Sequence, residues 1–153
     1  MAKRIVIAAG GWIRNPSLLK SIVTKDDFII AADGGLVHLE EAGFHPNILI
    51  GDLDSLEEKE RQKVGERGIR ILAHSKEKDD TDTELAIQHA LSIDPEEILV
   101  VGGIGDRLDH TLSNVGLLLY GLKQRKNEGS KNFPMVVLIC NEILMIVGSD
   151  YGT

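Results

Sequence analysis

The sequence predicts an α/β fold of Rossmann-like type: a mostly parallel sheet flanked by helices, with an antiparallel strand pair closing it at the C-terminal end. Three observations carry this expectation. Short runs rich in Ile and Val recur five times and read as strands buried on both faces. Helix-length segments separate them, and that alternation calls for parallel strands joined by crossover helices. The last two apolar runs leave room for only a tight turn between them.

Taken in order, the strands are "RIVIAA" (4–9), "DFIIAAD" (27–33), "NILIGD" (47–52), "IRILAH" (69–74) and "EILVVGG" (97–103). Gly10 and Gly11 end the first of them. Helices are expected near 16–23, 35–42, 56–66, 82–91 and 109–126. "MVVLIC" and "EILMIV" form the closing pair around Asn141, and the polar stretch "KQRKNEGSKN" (123–132) reads as a surface loop. No internal repeat or low-complexity segment interrupts the pattern.

Composition narrows the function classes. The chain of 153 residues suits one domain, and its 42% apolar and 27% charged content is ordinary for a globular protein. A net charge of -7 argues against a nucleic-acid partner, which requires a basic face. It leaves a nucleotide open, because a divalent cation can mediate between acids and phosphates. No apolar run approaches the roughly 18 residues of a membrane span, and no signal peptide is read at the start. A single cysteine, Cys140, excludes an internal disulfide framework, so a cytoplasmic setting is expected.

In open α/β sheets ligands bind at the carboxyl ends of the strands, and here a polar cluster follows each of the five. They are "GGWIRN", "DGG", "GDLDS", "HSKEKDDTDTE" and "GGIGDRLDHTLSN". Familiar motifs do not account for them. There is no GxxxxGK[ST], no HExxH and no GxSxG, and Leu108 stands where a dinucleotide fingerprint after Gly103 and Gly105 needs its third glycine.

Asp52 and Asp54 stand two apart, so in an extended segment their carboxylates converge. One reading is a Mg2+ site completed by water and phosphate; the other is a solvated turn, with Ser55 or Asp54 capping the next helix. Thr81 and Glu84 form a capping box that starts a helix at Asp82, and an acid there also complements the helix dipole. The crowding of Asp79, Asp80 and Asp82 favours an acid turned toward metal or substrate. Arg107 offers a fork for phosphate oxygens, Asp109 suits an N-cap, and His110 reads equally as a phosphate donor or a capping-turn residue. Asp33 ends a strand before Gly34 and Gly35, where a ligand could approach the backbone at a helix N-terminus. Gly10 and Gly11 invite the same reading more weakly, and Trp12 suits either ring stacking or packing. His38, His45, His74 and His89 read as incidental.

In their order and spacing, "AADGG", "GDLDS", "EKDDTDTELAI" and "GGIGDRLDHTLSN" resemble the catalytic domain of the thiamine pyrophosphokinase family, from the first strand to about Val147. The resemblance implies transfer of a diphosphate from Mg-ATP to the hydroxyethyl oxygen of thiamine, giving thiamine diphosphate and AMP. It implies that Asp52, Asp54 and Asp82 are catalytic and bind Mg2+, with Asp79 nearby. Asp33, Gly34 and Gly35 would lie against nucleotide or substrate, and Arg107, Asp109 and His110 would serve ATP. Asp80 departs from the family pattern and receives no role.

The family likeness also implies a homodimer and a C-terminal β-rich domain that helps form the thiamine pocket. Residues 1–147 are therefore expected to be the catalytic, ATP-binding domain and 148–153 the start of a linker, with the β-rich domain absent and activity weakened. Two other readings stand beside this one: a diphosphokinase for another hydroxymethyl heterocycle such as a pterin, and a catalytically silent Mg-nucleotide-binding fragment.

Overall fold

A computed structural model describes residues 4–11, 17–32, 34–51, 58–73, 82–102, 116, 135–140 and 143–147. Strands β1 (Arg4–Ala8), β2 (Phe28–Ala32), β3 (Ile48–Gly51), β4 (Arg70–Ala73) and β5 (Glu97–Val101) alternate with helices α1 (Ser17–Ile22), α2 (Gly35–Glu41), α3 (Glu58–Glu66) and α4 (Asp82–Ser92). Two further strands, β6 (Met135–Cys140) and β7 (Ile143–Val147), follow. β2, β3 and β4 each begin one residue later than expected and β1 ends at Ala8, although the Ala9 N–H still donates to the Val101 carbonyl; the expected ends at 33, 52, 74 and 103 lie outside the described residues. α4 begins at Asp82, where the T-x-x-E pattern places it. The helix expected at 109–126 lies outside the described residues except for Gly116.

The strand order is β4-β3-β2-β1-β5-β6-β7. Neighbours from β4 through β6 pair in parallel, and β6 pairs with β7 antiparallel, Val136 opposite Val147 through Cys140 opposite Ile143. Alternation along each strand divides the apolar runs between two cores. Val6, Ala8, Ile29, Ala31, Leu49, Leu99 and Val101 face Leu19 of α1, Leu36 and Leu39 of α2 and Val64 of α3. Ile5, Ile7, Ile30, Ile48, Ile50, Ile98 and Val100 face Ala86, Ile87 and Ala90 of α4. Continuous apolar strands are the consequence, because both sheet faces are covered.

The same arithmetic sets the direction of winding. From β1 the chain steps outward through β2 and β3 to β4, with α1, α2 and α3 on one face. It then returns across the sheet to the far side of β1, and α4 covers the opposite face, as crossovers of one hand require when the direction reverses. β1 and β5 therefore meet at the switch point, and in open α/β sheets ligands bind at the carboxyl ends of the strands beside it.

At the other end of β1, the Arg4 guanidinium grips Asp27 with two charge-assisted hydrogen bonds of 2.8 and 2.6 Å and donates a third, of 2.7 Å, to the Ile22 carbonyl. Asp27 also accepts the Thr24 backbone N–H at 2.8 Å, closing the turn between α1 and β2. Burial pushes the Asp27 carboxyl up, but the bonds from Arg4 and Thr24 outweigh it and hold it below the usual carboxylate range. The hydrogen bond to Asp27 raises the Arg4 guanidinium. Just before β3, the Asn47 side-chain oxygen accepts from the Ile29 N–H at 2.8 Å while the Asn47 backbone N–H donates to the Ile29 carbonyl at 2.8 Å, setting the β2–β3 register.

Candidate functional site

Among the described residues, Gly10, Gly11, Gly34, Gly35, Gly51 and Gly102 bring the chain to the carboxyl-end rim. After β1 the chain runs through Ala9, Gly10 and Gly11; its Ala9 N–H donates to the Val101 carbonyl at 2.8 Å and its Gly11 N–H to the Gly102 carbonyl at 2.7 Å. These two bonds extend the β1–β5 pairing past the strands and zip the first loop to the turn after β5. Gly102 holds this turn in the left-handed region, φ 70°, and a β-carbon on it would collide with the Ala9 carbonyl.

The segment entering α2 packs on the same loop. A β-carbon added to Gly10 would come within 3.3 Å of the Gly34 Cα and N, tighter than most real contacts. Gly35, the first residue of α2, lies directly over the Ala8 carbonyl, and a β-carbon there would overlap that peptide. Only glycine lets α2 begin so close to the end of β1. Gly10 and Gly34 are exposed while Gly35 is buried, so the rim offers a shelf of bare backbone resting on a closed floor.

The third corner joins β3 to α4. The Asp82 Oδ2 lies 3.7 Å from the point where a β-carbon on Gly51 would stand. Asp82 is half-buried, and Gly51 directly precedes Asp52 in the chain. A carboxylate oxygen here is the hard donor that Mg2+ takes, so the donor chemistry fits that ion. Among the described residues no group of three His, Cys, Asp or Glu gathers to hold a metal.

Of the residues predicted for the site, Gly34, Gly35 and Asp82 are described and all three lie on this rim. Asp33, Asp52, Asp54, Asp79, Arg107, Asp109 and His110 lie outside the described residues, as does Trp12. One expectation is corrected. His38 is not incidental: its Nε2 lies 2.8 Å from the Gly11 carbonyl and ties α2 to the first loop. No periodicity marks that bond, because its partner is a backbone atom 27 residues away. Among the described residues no helix is long and apolar enough to cross a membrane.

Fold and rim together define a doubly wound α/β domain with a glycine-lined rim at its switch point, the place where domains of this class bind ligands. Residues 19–128 match the family model described as thiamin pyrophosphokinase, catalytic domain. The thiamine pyrophosphokinase of Bacillus subtilis (strain 168) is 36% identical over 121 residues, covering 79% of this chain and 56% of the relative. The crystal structure of thiamine pyrophosphokinase from Bacillus subtilis superposes with a TM-score of 0.70 at 32% identity, over 90% of this chain and 60% of that one. That of thiamin pyrophosphokinase from Geobacillus thermodenitrificans gives 0.69 at 28% identity, over 89% and 59%. The chain belongs to the thiamin pyrophosphokinase catalytic-domain family. It spans a little over half the length of these relatives.

Proposed function

We propose that this domain binds Mg-ATP on the carboxyl-end rim and serves transfer of its diphosphate to thiamine, yielding thiamine diphosphate and AMP. The family match supports the reaction class. The observation that carries the site is Asp82 against Gly51, which sets one predicted acid beside the chain that leads into Asp52 and Asp54. In this reading residues 1–147 are the catalytic domain, closed by the β6–β7 pair, and 148–153 begin a linker. The active protein is a cytoplasmic homodimer.

Asp52, Asp54 and Asp82 would hold Mg2+, which when bound neutralises charge on the phosphate oxygens. The bare backbone at Gly10, Gly34 and Gly35, with Asp33, receives the nucleotide or substrate without steric conflict. By the family likeness Arg107, Asp109 and His110 would serve ATP, and Asp79 would assist the acidic site. The thiamine hydroxyl oxygen forms its bond to the β-phosphorus as the bond from that phosphorus to the AMP oxygen breaks. Asp82 orients that hydroxyl or accepts its proton. The rest of the rate enhancement is positioning and charge complementarity.

AMP release measured with thiamine, with a hydroxymethylpterin and with no acceptor tests the reading, alongside calorimetric titration of Mg-ATP. Thiamine-dependent AMP supports it, and pterin-dependent AMP moves the acceptor to another heterocycle. Mg-ATP binding without AMP under any acceptor supports a nucleotide-binding module that does not catalyse transfer. No Mg-ATP binding overturns the site.

A further inference from the structure

We propose that His38 is a positioning residue of the nucleotide site, holding the loop after β1 in its binding shape through the Gly11 carbonyl. This rests on the reading that the rim binds Mg-ATP. A carbonyl only accepts, so the imidazole Nε2 at 2.8 Å carries the proton and donates. The Gly11 residue is thereby fastened at both ends: its N–H goes to the Gly102 carbonyl at 2.7 Å, and its C=O receives His38.

The loop needs an outside tether because Gly10 and Gly11 have no side chains with which to hold themselves. Two successive glycines lose more backbone freedom on ordering than any other pair. His38 is well placed to supply the restraint. It sits on α2, three residues after Gly35, and α2 is docked on β1 where Gly35 meets the Ala8 carbonyl. The imidazole therefore ties the loop to the same strand that the loop extends. The consequence falls on Gly10, which is exposed and packed on Gly34 at the shelf. A loop ordered before the ligand arrives spares the binding step that entropy cost.

Amide exchange of Gly11, followed by NMR in the 153-residue chain, reads the tether directly. His38→Ala is expected to speed Gly11 exchange by about tenfold or more, and to weaken Mg-ATP binding by about five- to tenfold in calorimetry. Alanine is the better helix former, so α2 is expected to survive the change. His38→Gln, with an amide N–H of similar reach, is expected to restore both values. Unchanged Gly11 exchange in His38→Ala, or no restoration by glutamine, overturns the tether. Faster exchange with unchanged Mg-ATP affinity overturns the positioning role and leaves the nucleotide reading standing. If the unaltered chain binds no Mg-ATP, the nucleotide reading fails and the positioning role fails with it, while the exchange data still decide the tether.

Discussion

The Asp82 carboxylate and the backbone of Gly51 share one corner of the rim, with Oδ2 3.7 Å from where a β-carbon on the glycine would sit. That distance is ordinary van der Waals contact, so Gly51→Ala is expected to fold and to bind Mg-ATP as the parent does. Gly51→Leu must push the carboxylate aside and is expected to reproduce the Asp82→Asn defect. For Asp82→Asn, AMP formation with thiamine is expected to fall about 100-fold or more, with little change in melting temperature. Near-normal turnover in Asp82→Asn would remove this acid from the machinery.

Two glycine substitutions should move stability in opposite directions. Gly35→Ala drives a β-carbon into the Ala8 peptide, and backbone cannot step aside. A loss of about 3 kcal/mol or more is expected, or no folded protein. Gly65 lies exposed in α3 with open space where a β-carbon would stand. Gly65→Ala should stabilise by about 0.5–1 kcal/mol, because alanine restricts the unfolded chain and favours the helix. Urea denaturation of the two variants checks both signs.

The Arg4–Asp27 clamp should appear as acid sensitivity. Its carboxyl is held below the usual range in the folded state, so its contribution is complete above an unfolded value of about 3.9. It is lost as pH falls through the depressed folded value. Asp27→Asn is expected to cost about 2 kcal/mol at pH 7 and progressively less relative to the parent below about pH 4. The clamp sits at the amino end of β1, so Mg-ATP affinity in Asp27→Asn should match the parent. An equal penalty at pH 7 and pH 2.5 would mean the ionised pair is not the cause.

Leu39 is fully buried on α2, one residue from His38. Leu39→Ala is expected to cost about 2–5 kcal/mol by opening a cavity between α2 and the sheet. Because α2 carries His38 and Gly35, the same variant should also speed Gly11 exchange, whereas His38→Ala speeds it without that loss of global stability.

Much of the architecture was legible before any coordinates. The Ile/Val runs at β1, β2, β3 and β5 become the strands, and Thr81 with Glu84 marks the start of α4 at Asp82. Those features are local: burial on two faces demands unbroken apolar residues, and a capping pattern acts over one turn. Asp82, Gly34 and Gly35 were also recognisable as rim residues, since loops at the carboxyl ends of parallel strands face one way. The tasks of the two glycines were not. Gly35 reads as a place for a ligand and serves first as the contact that lets α2 rest on β1. His38 carries no pattern at all.

Composition and periodicity thus sufficed for the class of fold and the spacing of its described elements. Strand order was needed to bring Gly10 onto Gly34, Asp82 onto Gly51 and His38 onto the Gly11 carbonyl. Each of those pairs joins segments at least 24 residues apart, and their meeting is set by the pairing of β1 with both β2 and β5 and by the return of α4 across the opposite face. A repeat of two or 3.6 residues says which face a side chain takes; it carries no information about which strand will lie alongside.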